Sequence, residues 1–276
     1  DINNFEIIIP SFEEQTAIAK YLDTKTQAID KKVSLLEKKI GYYQELRKSL
    51  INETVTKGLD KNVKLKDSGI EWIGQIPEHW QVKRFKDVVT KYTTGGTPST
   101  TNNSYFNGDN IWICIGDITE SKYVSTSALM LTDEAIKDAN ILKTPKGSLL
   151  YSFKLSIGKM AFTTIDCYTN EAILSIFPNK HIDLNYYYMM LPIFMDLAAT
   201  ENIYGAKMLN QKLIANAFVL HPPKKEQELM GKYLEEKTSK IDQIITNIQT
   251  QISTLKELRK TLINYVVTGK IKVIQD

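Results

Sequence analysis

Shifting the sequence against itself by 212 residues lays one end of the chain on the other without a gap, and self-similarity of this kind limits the possible folds more than composition does. Pro10, Glu14 and Gln15 fall on Pro222, Glu226 and Gln227, and Lys20, Tyr21 and Leu22 fall on Lys232, Tyr233 and Leu234. Ile29 and Asp30 match Ile241 and Asp242, and residues 45–48 match residues 257–260. Leu50, Ile51, Asn52, Val55 and Thr56 fall on Leu262, Ile263, Asn264, Val267 and Thr268. Gly58 and Gly269 close the two copies, one residue out of step.

Within each copy the apolar residues recur every seven positions: Leu22, Ile29, Leu36, Tyr43 and Leu50, then Leu234, Ile241, Ile248, Leu255 and Leu262. Val33 and Ile40 add a second row in the first copy, as Ile245 and Ile252 do in the second. A sustained heptad is the pattern of a coiled-coil seam. The faces between the rows are charged or polar, as at Lys31, Lys32, Glu37, Lys38 and Lys39, which suits helices with solvent on their far side. The plainer alternative is two helices packed on a globular core. About 35 residues of helix measure roughly 50 Å. The first helix runs into the middle of the chain and the second runs out of it. Lengthwise pairing is therefore antiparallel, with a middle domain at one end, and either one chain or two can supply the pair.

Residues 60–220 have a different texture. An opening with Trp72, Pro77 and Trp80 leads into β-type runs at 111–115, 148–151 and 172–176, separated by turn-rich pieces at 93–103 and 143–147. Helices are expected at 184–200 and 210–216. The fold class is α+β: a mixed α/β domain with a twisted sheet and long loops, plus a long antiparallel two-helix coiled coil. The expected boundaries are a tail at 1–9, a helix at 10–59, the mixed domain at 60–221 and a second helix at 222–276.

Charge does not announce a partner. Residues 60–220 carry 16 basic and 16 acidic side chains, so any basic face has to be made by folding. No run of eighteen apolar residues occurs, and no membrane association is expected. Cys114 and Cys167 are too few for a disulfide framework and fit reduced thiols in a cytoplasmic protein. Asp1 and the apolar run at 5–9 lead us to expect a chain that begins inside a larger gene product.

Pro-x-x-x-Glu-Gln followed by a long helix, seen twice here, resembles the helical spacers of Type I restriction-modification specificity subunits. The stretch 69–80 with its two tryptophans resembles the start of their target-recognition domains. So do Gly95, Gly96, Thr97, Pro98 and Ser99; Gly116, Asp117 and Ile118; residues 147–151; and residues 156–160. Each motif is short, but their order covers essentially the whole chain. The resemblance implies a non-catalytic specificity subunit that reads double-stranded DNA and carries no cofactor of its own. It implies modification (methyltransferase) subunits docked around the helices and restriction subunits reached through the complex. A full subunit has two recognition domains and this sequence holds one, so a fragment, a natural half-subunit or half of a rearranged gene is expected. A half-subunit could form a homodimer through its helices.

The residue types that read DNA are Lys, Arg, Asn, Gln and Ser on loops, some aimed at base edges and others at phosphates. Three groups meet that description. Thr94, Gly95, Gly96, Thr97, Ser99, Thr101 and Asn102 form a loop of hydroxyls and amides, whose glycines let backbone approach a phosphate. Ser152, Lys154, Ser156 and Lys159 cluster donors around Gly158. Tyr204, Lys207, Asn210, Gln211 and Lys212 lie around or just after Gly205.

Catalytic patterns do not stand out. There is no Asn/Asp-Pro-Pro-Tyr/Phe for amino-methylation and no Gly-x-x-x-x-Gly-Lys-Ser/Thr for ATP. His79, His181 and His221 are scattered, and the cysteines lack metal-ligand spacing. Asp166 and Glu171 near Lys154 and Lys159 leave a nuclease-like cluster as an alternative, and a protein-interaction scaffold is another.

Overall fold

A computed structural model of the chain describes residues 9–201, 205 and 207–274. In chain order, the long helix α1 (Phe12–Lys57) is followed by the hairpin strands β1 (Leu65–Asp67) and β2 (Gln75–Pro77). Next come β3 (Gln81–Arg84), the single-turn α2 (Phe85–Val88), β4 (Tyr92–Thr94) and β5 (Asn110–Ile113). Short strands β6 (Tyr123–Val124) and β7 (Met130–Leu131) precede α3 (Asp133–Asp138). The centre is β8 (Leu149–Ser152), β9 (Met160–Thr163), β10 (Tyr168–Thr169) and β11 (Ile173–Ile176), and then α4 (Leu184–Ala198). The hairpin β12 (Thr200–Glu201) and β13 (Lys207–Met208), α5 (Gln211–Asn216) and β14 (Phe218–His221) lead to α6 (Lys224–Val267).

Two compact units divide this chain, residues 1–49 with 237–276 and residues 50–236. In the first, α1 and α6 pair along the heptad rows: Val33, Ile248 and Ile252 are buried, flanked by Ile29, Leu36, Ile40, Tyr43 and Leu255. The pairing lies within one chain and runs antiparallel, because Asp30 binds Arg259 at 2.9 Å while Arg47 binds Asp242 at 3.0 Å. These two ion pairs are images of each other under the 212-residue shift, so the sequence repeat has become an approximate two-fold in the helix pair. Each pair is about half exposed and contributes on the order of 0.2–1 kcal/mol. Burial of the apolar seam stabilises the pairing more, since a single well-buried aliphatic side chain contributes about 1.5–3 kcal/mol.

Both helices start the same way. Gln15 donates its side-chain N–H to Pro10 O at 2.8 Å, and Gln227 does the same to Pro222 O at 2.8 Å. Both are followed by a glycine in the left-handed region, Gly58 at φ 76° and Gly269 at φ 69°. Such a residue reverses the chain at a helix end with no Cβ clash.

The second unit is built around a five-stranded sheet of order β4-β11-β8-β9-β6, antiparallel except where β6 runs parallel to β9. All four side chains of β8 and of β11 are buried, which explains why their sequences read as apolar runs without alternation. One face packs on α4, whose Tyr186, Tyr187, Met190, Leu191 and Phe194 are inside the main core. Val55 and Leu234, from the parts of α1 and α6 belonging to this unit, are fully buried in the same core. The other face covers a smaller cluster of Ile113, Ile118, Val124, Leu150 and Ile173.

The expected strands at 111–115, 148–151 and 172–176 lie within one or two residues of β5, β8 and β11. The expected helix at 184–200 stops at Ala198, and Thr200 and Glu201 pair with Met208 and Lys207 instead. No helix among the described residues is long and apolar enough to cross a membrane.

Candidate nucleic-acid interface

The register of the five-stranded sheet decides which loops meet. Thr94 at the end of β4 pairs with Leu174, and Ile173 at the start of β11 pairs with Ser152 at the end of β8. Tyr151 pairs with Met160 at the start of β9. The loop after β4, the turn before β11 and the β8–β9 turn therefore leave one end of one sheet. Gln211, at the start of α5, donates to the Thr94 hydroxyl at 2.6 Å, which brings the third group to the same end. Described residues of three groups far apart in sequence, from Thr94 to Lys212, thus meet at this end.

In the loop after β4 the glycines serve the fold. The Gly95 N–H donates to Ile173 O at 3.2 Å, and the Gly96 N–H donates to Thr169 O at 3.0 Å. Gly96 O accepts the Trp112 indole N–H at 3.1 Å. A methyl group on Gly95 would stand 1.8 Å from Thr169 O. Both amides are thus spent on the neighbouring strands, so any close approach of this backbone to a phosphate would not use these two N–H groups. Thr97 donates to the Glu171 carboxylate. Ser99 and Thr101 share a hydrogen bond of 2.8 Å, and Asn102 accepts the Ser104 N–H at 3.2 Å. Thr97, Ser99, Thr101 and Asn102 all face solvent.

The β8–β9 turn is held from inside. Ser152 is fully buried; its hydroxyl donates to Ser156 O and accepts the Lys159 N–H, the latter at 3.0 Å. Ser152, expected as a DNA contact, here braces the turn with its hydroxyl. Phe153 is buried too, and its N–H donates to Ala172 O at 2.9 Å. Lys154, Ser156 and Lys159 project from this braced turn into solvent. Between them stands Leu155, 95% exposed and at φ 56°.

In the third group, Asn210 caps α5 by accepting the Leu213 N–H at 2.9 Å, and Lys212 is exposed. Lys207 binds Asp196 at 2.5 Å. Tyr204 lies outside the described residues. Among the described residues, Lys154, Lys159 and Lys212 form no ion pair with a carboxylate, so three cations at this end have no protein counter-charge. A groove of about 480 Å³ beside Asn210 and Lys212 is lined by Ile70, Trp72, Phe194, Leu197 and Phe218.

The nuclease-like cluster is not assembled. Asp166 sits at the opposite end of the sheet, accepting the Lys146 N–H at 2.8 Å and binding Lys143 at 3.2 Å. The Lys146 amide first, then the Lys143 side chain, hold its carboxyl below the usual carboxylate range. Glu171 is instead beside Thr97. Among the described residues no three His, Cys, Asp or Glu side chains gather as a metal site. Burial pushes the half-buried Cys114 thiol up to about 11, the charges of Asp117 and Glu171 adding to the effect; such a thiol is a poor nucleophile.

Leu155 and Phe153 as turn residues, and Glu171 as the partner of Thr97, were not legible in the sequence. Glu171 meets Thr97 through the pairing of strands far apart in sequence, Leu155 is set by the turn between β8 and β9, and Phe153 is the hidden anchor of that turn.

Known proteins share this fold. A family model described as the Type I restriction modification DNA specificity domain matches residues 77–254. The specificity subunit of the Type I restriction enzyme MjaIX of Methanocaldococcus jannaschii is 27% identical over 191 residues, covering 67% of this chain and 43% of that protein. The MjaVIII specificity subunit of the same organism is 23% identical over 281 residues, covering 98% of this chain and 63% of that protein. The chain thus spans less than two thirds of either relative. Among solved structures, a chain from a study of complex assembly and conformational transition of the type I R-M system matches with a TM-score of 0.76 at 16% identity, over 96% of this chain and 62% of that one. The HsdS subunit from Thermoanaerobacter tengcongensis matches with a TM-score of 0.60 at 14% identity, over 96% and 61% respectively; these two likenesses show the fold. The match over residues 77–254 takes in more than half the chain, and this protein belongs to the family of Type I restriction modification DNA specificity domains.

Proposed function

We propose that residues 60–221 read one part of a double-stranded DNA target for a Type I restriction-modification assembly, while methylation and cleavage belong to partner subunits. The observation that carries this reading is the meeting of three polar loops, with three lysines that have no carboxylate partner among the described residues, at one end of the sheet in a domain of this family. Exposed lysines neutralise phosphates and fix register, and hydroxyls and amides between them reach base edges. Thr97, Ser99, Thr101, Asn102, Ser156 and Gln211 are the candidate base readers; Lys154, Lys159 and Lys212 are the phosphate contacts, and Lys207 would join them by exchanging Asp196 for a phosphate.

The bipartite part of the reading, in which helices hold two readers apart, is supported by comparing the two helix starts. In α6, Glu226 accepts the Trp80 indole N–H at 2.8 Å and binds His79 at 2.7 Å, while Gln227 accepts the Asp183 N–H at 2.9 Å. Gln227, Met230 and Leu234 are buried. The matching Gln15, Ile18 and Leu22 of α1 are exposed or half-exposed, and the Glu14 carboxylate has no partner among the described residues. The start of α1 thus keeps the residues of a recognition-domain seat. A domain seated there would differ in detail from residues 60–221, because Ala19 replaces Gly231. At Gly231 a Cβ would stand 2.8 Å from Asp183 Oδ1 and 3.1 Å from Tyr186 N.

A homodimer is the second reading. Asp30 and Arg47 have the same spacing as Asp242 and Arg259, so either helix can stand in for the other across two copies. Modification subunits would dock around the helices in either case.

Co-expression with the modification subunit of the same system, followed by adenine-methylation mapping on random duplex DNA, tests the reading. Methylation at one split motif supports it, and an inverted repeat identifies the homodimer. A stable complex that methylates nothing would point to a required second recognition domain. Failure to form any complex, with no duplex binding, would count against the whole reading.

A further inference from the structure

Leu155 combines two features that a fold does not favour. It is a non-glycine residue in the left-handed region, at φ 56°, where the Cβ of an L-residue crowds its own backbone. It is also 95% exposed, more so than any other large apolar side chain among the described residues. Neither feature serves the core: Phe153, two residues earlier, is the anchor, and the Ser152 hydroxyl together with its backbone braces the turn. Strain held in a braced turn marks a position selected for what its side chain meets outside the chain.

The surroundings identify what that is. Lys154 and Ser156 flank the leucine, and Lys159 follows at the same end of the sheet, so an apolar tip stands between the two lysines assigned above to phosphates. A duplex offers few apolar features between its phosphate rows. In the major groove the apolar feature of the base edges is the 5-methyl group of thymine. We propose that Leu155 is a specificity-determining residue that packs against a thymine 5-methyl group in the major groove, with Lys154 and Lys159 on the bordering phosphates. This rests on the DNA-reading proposal above. Burying one methyl group against a leucine amounts to roughly three- to fivefold in affinity.

The test uses the chain with its modification partner and a duplex bearing the methylated target, with deoxyuridine replacing each deoxythymidine in turn to delete a single methyl group. Wild type is expected to lose about three- to fivefold at one or two positions. Leu155→Gly is expected to lose that sensitivity while keeping every other preference. Glycine accepts φ 56° freely, so the unfolding midpoint of Leu155→Gly should not fall, which separates loss of contact from loss of fold. Leu155→Met, apolar and long, should keep the sensitivity. An unchanged deoxyuridine profile in Leu155→Gly overturns the proposal while leaving DNA reading intact. A rise in fluorescence of 2-aminopurine placed beside the site, abolished by Leu155→Gly, would mean that the leucine wedges between stacked bases, and would also overturn it. If wild type shows no sequence preference at all, the DNA-reading proposal fails first.

Discussion

Replacing Glu226 with alanine should destabilise the 50–236 unit, and replacing its repeat partner Glu14 should not. Trp80 is fully buried, and its indole N–H has the Glu226 carboxylate as acceptor at 2.8 Å. Removing the acceptor leaves a buried donor unsatisfied, at about 1–3 kcal/mol. The second carboxylate oxygen holds His79 at 2.7 Å where both side chains are around 40% exposed, and this adds no more than about 1 kcal/mol. Glu226→Ala should therefore cost about 2–3 kcal/mol, which lowers the midpoint of thermal unfolding by roughly 4–12 °C for a unit of this size. Glu226→Gln keeps an oxygen for the indole and should cost about 1 kcal/mol. Glu14→Ala removes an exposed carboxylate and should stay within about 0.5 kcal/mol. Thermal unfolding of the three variants side by side is the assay. Equal losses for Glu14→Ala and Glu226→Ala would refute the reasoning, because the clamp would then not be what the carboxylate does.

The reciprocal ion pairs predict two matched double-mutant cycles: Arg47→Ala with Asp242→Ala, and Arg259→Ala with Asp30→Ala. Each should give a coupling of about 0.2–1 kcal/mol that fades as salt rises, and a strong coupling in one pair alone would contradict the two-fold. Gly95→Ala should cost about 1–3 kcal/mol or more, since its methyl group would meet Thr169 O at 1.8 Å; denaturant unfolding checks this, and a neutral result would refute the close approach. Burial first, then Lys83 and His181, holds the His221 imidazole below its ordinary value of 6.5. The folded state thus disfavours the proton, and this group's contribution is complete above pH 6.5 and declines as the pH falls below it. An NMR titration midpoint below 6.5 is expected, and one at or above 6.5 contradicts it.

The helices were legible because their signal is long and local. Heptad rows over 30 or more residues have few competing explanations, and the 212-residue repeat matched the two helix ends; the reciprocal ion pairs of Asp30 with Arg259 and of Asp242 with Arg47 came only with the structure. In the middle domain the buried runs of β8 and β11 read correctly, since apolar side chains on both faces leave a continuous signature. Three-residue β4 and two-residue β6 and β10 carry too few side chains to show a period, and their pairing is fixed by partners roughly 40 to 80 positions away. The loops were legible as polar and glycine-rich, but the use of their atoms was not. Gly95 and Gly96 look the same in sequence whether they cradle a phosphate or let two backbones touch. Ser152 reads as a donor until the register buries it. The positions that sequence cannot rank, Leu155 above all, are exposed by a turn whose shape depends on residues inside the sheet.

The claim that one end of the sheet faces DNA is tested most directly by the salt dependence of duplex binding. The variant set is Lys154→Ala, Lys159→Ala and Lys212→Ala together, against Lys91→Ala, Lys143→Ala and Lys146→Ala at the opposite end. Each phosphate contact contributes about −0.9 to the slope of log affinity against log salt concentration. The first triple variant should flatten that slope by about 2 to 3, and the second should leave it as in wild type. Equal effects from the two triples, or a change confined to the second, would contradict the account.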